Sequence, residues 1–312
     1  MRDAVAVDGI VLLDKPLGLS SNAALQRVKR AFRACKAGHT GSLDPLASGM
    51  LPICLGEATK LSAVLLDAHK EYRFTIALGV RTTTGDLEGE IAERRAIPEL
   101  KPPAVKQALE AFLGRHEQVP PMHSALKHRG QPLYQLARRG MAVERSRRAI
   151  EIAALELVQL LPDAITLRAR CSKGTYVRSL AEDIAIALGT CGHVSELRRV
   201  GVDPFIDEPM VELAELEALA LDNRQRLAKW LMPPDRAVAD WPHVELSAAL
   251  AARLLNGQSV SLTSSAARPG AVRVYGPEHG FLGLGELDTE QKLKPRRLIA
   301  TSPRLVTLPA SG

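Results

Sequence analysis

Aromatic residues make up only 4% of this 312-residue chain. That scarcity argues against a stacking platform for long single strands of nucleic acid and favours a shaped pocket with phosphate contacts. Cysteine is scarce too. Cys35, Cys54, Cys171 and Cys191 stand far apart, with no C-x-x-C pair and no Cys/His spacing suited to zinc. The eight histidines contain no H-x-x-x-H pair, so neither a disulfide framework nor a metal centre is expected. No apolar run approaches the roughly 20 residues that a membrane helix needs. The stretch MRDAVAVDGIVLLDKP is interrupted by Asp3, Asp8 and Asp14, which fits neither a signal peptide nor an anchor, and a cytoplasmic protein is expected. A P-loop is missing, and Gly283 and Gly285 lack the third glycine of a dinucleotide fingerprint.

What the chain does have is the profile of a globular protein, with 46% hydrophobic and 24% charged residues. Its net charge of +6 hides strong local asymmetry. Arg27, Lys29, Arg30, Arg33 and Lys36 follow one another with no acid before Asp44. Arg115, Lys127, Arg129, Arg138, Arg139, Arg145, Arg147 and Arg148 are opposed only by Glu117 and Glu144. Lys292, Lys294, Arg296 and Arg297 form a third cluster. One basic run is commonly a solvated face; three on one chain make a polyanion partner an equal reading.

The patterns are mixed. Gly9–Leu13 reads as a short buried strand. Ser21 reads as the N-cap of a helix with Leu25, Val28 and Phe32 on one face. Alternation from Tyr72 to Val80 and from Ile165 to Cys171 marks strands. Val177, Leu180, Ala181, Ile184 and Leu188 form a helical stripe closed by Gly189. Strands and helices do not alternate strictly, so the expectation is an α+β fold with a mixed, largely antiparallel sheet flanked by helices. Met232–Asp235 and Trp241-Pro242 read as a boundary. This divides the chain into a domain over 1–235, with a basic arm at about 115–148, and a small, mostly β module over 240–312. In that module short strands are expected near Val272–Tyr275, Phe281–Leu284 and Leu298–Thr301.

The most informative segment is Gly38–Lys60, GHTGSLDPLASGMLPICLGEATK. Its four glycines and two prolines suggest a tight, partly buried loop before a helix near Glu57. Asp44 is the only acid between Arg27 and Ile53. A carboxylate beside a basic helix, in a loop stiffened by Pro45, can be a nucleophile or a general base; it can equally cap a turn. Ser124–Lys127 also fits S-x-x-K, the signature of penicillin-binding enzymes, but the accompanying S-D-N element is missing.

Gly38–Lys60 resembles, throughout, the signature loop of the bacterial tRNA pseudouridine-55 synthases, GHTGxLDPxAxGxLPxCxGxATK. The likeness continues in Leu12–Gly18 with Ser20–Asn22, in Lys70–Arg73, in Pro120–Lys127, in Cys171–Arg178, and in Gly192–Val194 with Leu197–Arg199. One departure is His123, where many relatives carry Tyr. The C-terminal part is similar to the family's small PUA-like RNA-binding module by position and pattern only.

This resemblance implies an isomerase that turns uridine 55 in the T-loop of tRNA into pseudouridine. The N1–C1′ bond breaks, the uracil turns, and C5 joins C1′, with no metal and no organic cofactor. Asp44 matches the nucleophile, and both direct attack on the ribose and a glycal-type route remain open. Either requires the ionised carboxylate, which a guanidinium favours; Arg178 matches the family's arginine in that pairing. Tyr72 matches the tyrosine that stacks on the target base and is a candidate for removing the C5 proton. Tyr176 and Leu197 match positions lining the uracil pocket, and His39 a histidine near the extruded base. The nucleotide must leave its stack. Lys15, Arg27, Lys29, Arg30, Arg33, Lys60, Lys127, Arg138 and Arg139 are the residues expected along the T-arm backbone. The implied partner is tRNA, with no membrane, and a monomer is expected. Two rival readings are an RNA-folding factor that keeps the pocket without turnover and a related synthase acting on another RNA.

Overall fold

The computed structural model describes residues 6–299 except 125, 129, 142, 264 and 266. The chain divides into two compact units, one within residues 1–44, 50–66 and 204–312, the other within 45–49 and 67–203.

In the first unit, strand Gly9–Lys15 pairs in parallel with Val211–Glu212. Its other neighbour is the strand Ala47–Leu55, whose end pairs antiparallel with Ala37–His39. Helix Ser21–Ala31 covers this layer through Ala24, Leu25 and Val28, and Phe32 just beyond it is fully buried. The cap is Ser20 rather than Ser21: Ser20 Oγ accepts the Ala23 N–H at 3.2 Å. Ser21 is the first helical residue, and its hydroxyl is committed elsewhere. The expected C-terminal β module is a five-stranded sheet. From one edge to the other it runs His243–Glu245, Gly270–Tyr275, Phe281–Leu287, Lys292–Leu298 and Val260–Ser261. Helix Ala248–Leu255 packs on it through Ala251 and Leu254. The last strand expected from sequence ends at Leu298 instead, and Ala300 and Thr301 lie outside the described residues.

The second unit is built on antiparallel pairs. Gly192–Val202, Lys70–Leu78, Ala164–Cys171, Arg148–Leu160 and Gly114–Gln118 lie side by side in that order. Ala47–Gly49 joins Gly192–Val202 in parallel. Helix Val177–Ala187 lays Val177, Leu180, Ala181 and Ile184 against Phe74, Ile76 and Leu167, all 5% exposed or less. The α+β class and the largely antiparallel mixed sheet are therefore as expected.

Gly38–Lys60 is not one loop. Ala47–Leu55 is a nine-residue strand, buried except at Ser48, and a 3-10 turn Gly56–Leu61 leads into helix Ser62–Asp67. Its glycine reads as a breaker but answers a packing need. Gly49 has φ +101°, and a Cβ there would overlap the Arg199 carbonyl oxygen. Only glycine lets the two backbones approach so closely.

Candidate active site

In the second unit, Tyr72 sits near the start of the Lys70–Leu78 strand, opposite Ala169 on one side and Arg199 on the other. Alternation puts its ring in phase with the buried Phe74 and Ile76, and it packs against their cluster. Leu197 packs against the same cluster and lies in register with both Phe74 and Ala47. Ala47 comes three residues after Asp44.

Tyr176 and Arg178 belong to the start of helix Val177–Ala187. Gly174, at φ +80°, reverses the chain, and Tyr176 in extended conformation is the N-cap. The helix then turns Arg178 inward, leaving the residue 6% exposed. Its guanidinium is held on several sides. Nη1 donates to the Thr84 carbonyl at 3.1 Å and lies 3.3 Å from Asp86 Oδ2, and Nη2 donates to the His123 carbonyl at 2.7 Å. Asp86 is fixed in turn by the Thr84 hydroxyl and the Glu88 N–H on its Oδ1. A buried charge needs this many partners to stay put. The arginine expected opposite Asp44 thus has its own carboxylate, Asp86, within its unit.

A cavity of about 510 Å³ opens beside this arginine, lined by Arg81, Gly85, Arg145, Arg178 and Glu182 among others. Burial raises the pKa of Glu182 and of Asp183 next to it. Lys70, the first residue of the Lys70–Leu78 strand, is 5% exposed, and its Nζ donates to the Ala68 carbonyl at 2.7 Å. Burial first, and Arg199 second, lower its pKa to about 8.

In the first unit, Asp44 is exposed on the loop that precedes the Ala47–Leu55 strand. Ser21, 3% exposed, fixes that loop one residue earlier. Its Oγ accepts the Leu43 N–H at 2.7 Å and donates to the Leu43 carbonyl at 3.0 Å. His39 is half-buried in the short strand opposite Ile53.

The basic residues differ in what they can offer a phosphate. Arg30, Arg33 and Arg139 are exposed and Lys29 is half-buried. Arg27 is clamped by both carboxylate oxygens of Glu217, which raises the arginine's pKa and lowers the glutamate's. Lys60 spans Glu57 at 2.6 Å and the Leu298 carbonyl at 2.9 Å. Lys15 departs from the expectation. It is fully buried, and its ammonium donates to the carbonyls of Pro16 and Leu19 at 2.8 and 2.7 Å. It fastens its own loop and has no solvent face for a phosphate. The side chains of Lys127 and Arg138 lie outside the described part of the structure.

Three family models follow one another along this chain. "TruB family pseudouridylate synthase (N terminal domain)" matches residues 29–177, "tRNA pseudouridylate synthase B C-terminal domain" 178–239, and "Pseudouridine synthase II TruB, C-terminal" 242–299. The tRNA pseudouridine synthase B of Nitrosococcus oceani is 50% identical, over 94% of this chain and 95% of the relative. That of Burkholderia mallei is 52% identical over 95% and 98%. The chain belongs to the TruB family. It is a pseudouridine synthase, an isomerase that acts on RNA uridine. Among solved structures, one from a Cbf5-Nop10-Gar1 complex superposes with a TM-score of 0.70 at 27% identity, over 91% of this chain and 79% of that one.

Seen as a TruB-family enzyme, the chain carries two residues that the sequence did not place at the site: Ser21, read only as a helix cap, and Gln118. Each is a buried polar side chain bonded to main chain next to a proposed site residue, 22 and 58 residues away along the chain. The signals of Ser21 in the sequence are its cap-like position before the helix and its place in the Ser20–Asn22 block. Gln118 carries none. Among the described residues no cluster of three or more metal-ligating side chains occurs, and no helix is long and apolar enough to cross a membrane.

Proposed function

We propose that this enzyme isomerises uridine 55 in the T-loop of tRNA, with Asp44 as the nucleophile. The observation that carries the reading is near-full-length identity of 50% and 52% to two relatives named tRNA pseudouridine synthase B, together with the unbroken Gly38–Lys60 segment. Arg178 supplies the guanidinium that this reading requires; its burial and its contacts with Thr84, Asp86 and His123 support a fixed placement. Tyr72 stacks on the turned base and stands where the C5 proton leaves. Tyr176 and Leu197 line the uracil pocket, and His39 contacts the RNA beside the extruded nucleotide.

Extrusion costs a few kcal/mol of stacking, which phosphate contacts offset. Lys29, Arg30, Arg33 and the arm with Lys127, Arg138 and Arg139 supply them along the T-arm, with Arg27 and Lys60 at the margin. The 240–312 module adds RNA contact. A cytoplasmic monomer is part of this reading.

The test is tritium release from C5-tritiated uridine in an unmodified tRNA transcript, with Asp44→Asn as the comparison and the modified position mapped. Release from residue 55 by the parent, and none by a variant that still binds tRNA, is expected. Binding without release by the parent would instead mean an RNA-folding factor. Release by both would remove Asp44 from its role.

A further inference from the structure

Gln118 is the last residue of the Gly114–Gln118 strand and is 5% exposed. Its side-chain amide does not serve its own sheet. Oε1 accepts the Tyr176 N–H at 2.8 Å, and Nε2 donates to the Tyr176 carbonyl at 3.1 Å. The carboxamide thus acts on Tyr176 as the peptide of a neighbouring strand would, engaging both main-chain groups at once. The same carbonyl accepts the Leu180 N–H at 3.0 Å, the bond that opens the helix. Gln118 therefore holds the residue from which the helix departs, two positions before Arg178.

The neighbours of Gln118 reinforce this link. Ser179 Oγ donates to the Val119 carbonyl at 3.4 Å, and Arg178 Nη2 to the His123 carbonyl at 2.7 Å. Gln118 also pairs with Arg148 across the ladder that closes the foot of the basic arm. One first helical turn is laced to one short segment, and that segment is where the arm begins.

We propose that Gln118 is a positioning residue for the isomerisation. It sets the main chain of Tyr176 and, through the first helical turn, the direction of the Arg178 guanidinium, so that the arm and the pocket keep a fixed geometry. The inference rests on the proposed roles of Tyr176 and Arg178. A displacement of about 1 Å at a reacting centre can lower a rate about a hundredfold, and an apolar side chain at 118 would release both contacts.

The measurement is single-turnover tritium release at saturating tRNA, beside tRNA affinity and thermal unfolding, for full-length Gln118→Met and Gln118→Glu. The expected result for Gln118→Met is a rate lowered about ten- to a hundredfold, with affinity within about threefold of the parent and a folded protein at assay temperature. Gln118→Glu keeps the acceptor for the Tyr176 N–H but loses the donor, and its rate should fall between the two. If Gln118→Met does not fold, Gln118→Glu carries the comparison. A rate equal to the parent's, or a loss matched by lost affinity, overturns the proposal. Tyr176→Ala and Arg178→Ala separate the two levels. If both run at the parent rate, the site reading itself fails; if both lose activity while the Gln118 variants keep it, only the role of Gln118 fails.

Discussion

Replacing Lys70 by methionine should make the protein more stable at neutral pH, and the gain should fade as pH rises. Lys70 is 5% exposed and has its pKa lowered to about 8, chiefly by burial and then by Arg199, against about 10.4 for an unfolded lysine. Between those two values the unfolded chain binds more protons than the folded one, so stability must rise with pH across that window. A lowering of this size corresponds to about 3 kcal/mol, present in full below pH 8 as a charge-burial penalty. Methionine removes the penalty and forfeits the bond from Nζ to the Ala68 carbonyl, worth about 1 kcal/mol. The net expectation is a gain of about 2 kcal/mol at pH 7 that reverses to a small loss near pH 10. Urea unfolding of parent and Lys70→Met at both pH values reads the difference directly. Parallel pH dependence of the two proteins would refute the reasoning, because it would mean that no proton is lost from this position on folding.

Ser21→Ala strips both main-chain groups of Leu43, itself 6% exposed, of a partner. At about 1–3 kcal/mol for each buried group left unsatisfied, stability should drop by about 2–6 kcal/mol. Turnover should fall more than tRNA affinity because Asp44 is the next residue; loss of affinity alone in a binding titration would contradict this. Arg30→Ala with Arg33→Ala should flatten the plot of log affinity against log salt by up to about 2, at about 0.9 per phosphate. Arg27→Ala should change it little, since Glu217 already holds that guanidinium; equal effects of the two in salt titrations would remove the distinction.

Strands with clean alternation were legible. Tyr72–Leu78 and Ile165–Cys171 keep their phase because each faces an unbroken stretch of the other. Gly192–Val202 and Arg148–Leu160 did not stand out, and irregular register explains both. The first is shifted between Val194 and Glu196 and between Arg199 and Gly201, and the second between Ile152 and Ala154 and between Leu157 and Gln159. Each bulge slips the two-residue period by one. The 1% exposure of Arg199 further disguises a buried position as a polar one. The Ala47–Leu55 strand was hidden by Gly49 and Pro52, local breakers overruled by packing. The proposed site was legible only as linear blocks, since spacing cannot show that Gln118 meets Tyr176 or that Asp86 meets Arg178.

The five-pair ladder between Gly114–Gln118 and Arg148–Ile152 makes residues 119–147 an excursion from the last strand of its sheet. Closing such an excursion becomes only about 0.6 kcal/mol harder for each doubling of its length. The ladder therefore behaves as a socket: what is plugged in can be lengthened, shortened or exchanged while the sheet beneath keeps its pairing. The bonds reaching Val119 and His123 mark how far the socket extends. Chimeras that exchange 124–144, leaving Arg145 in place beside the cavity, should retain the fold, and the RNA they then modify reads out what the arm itself contributes to selection.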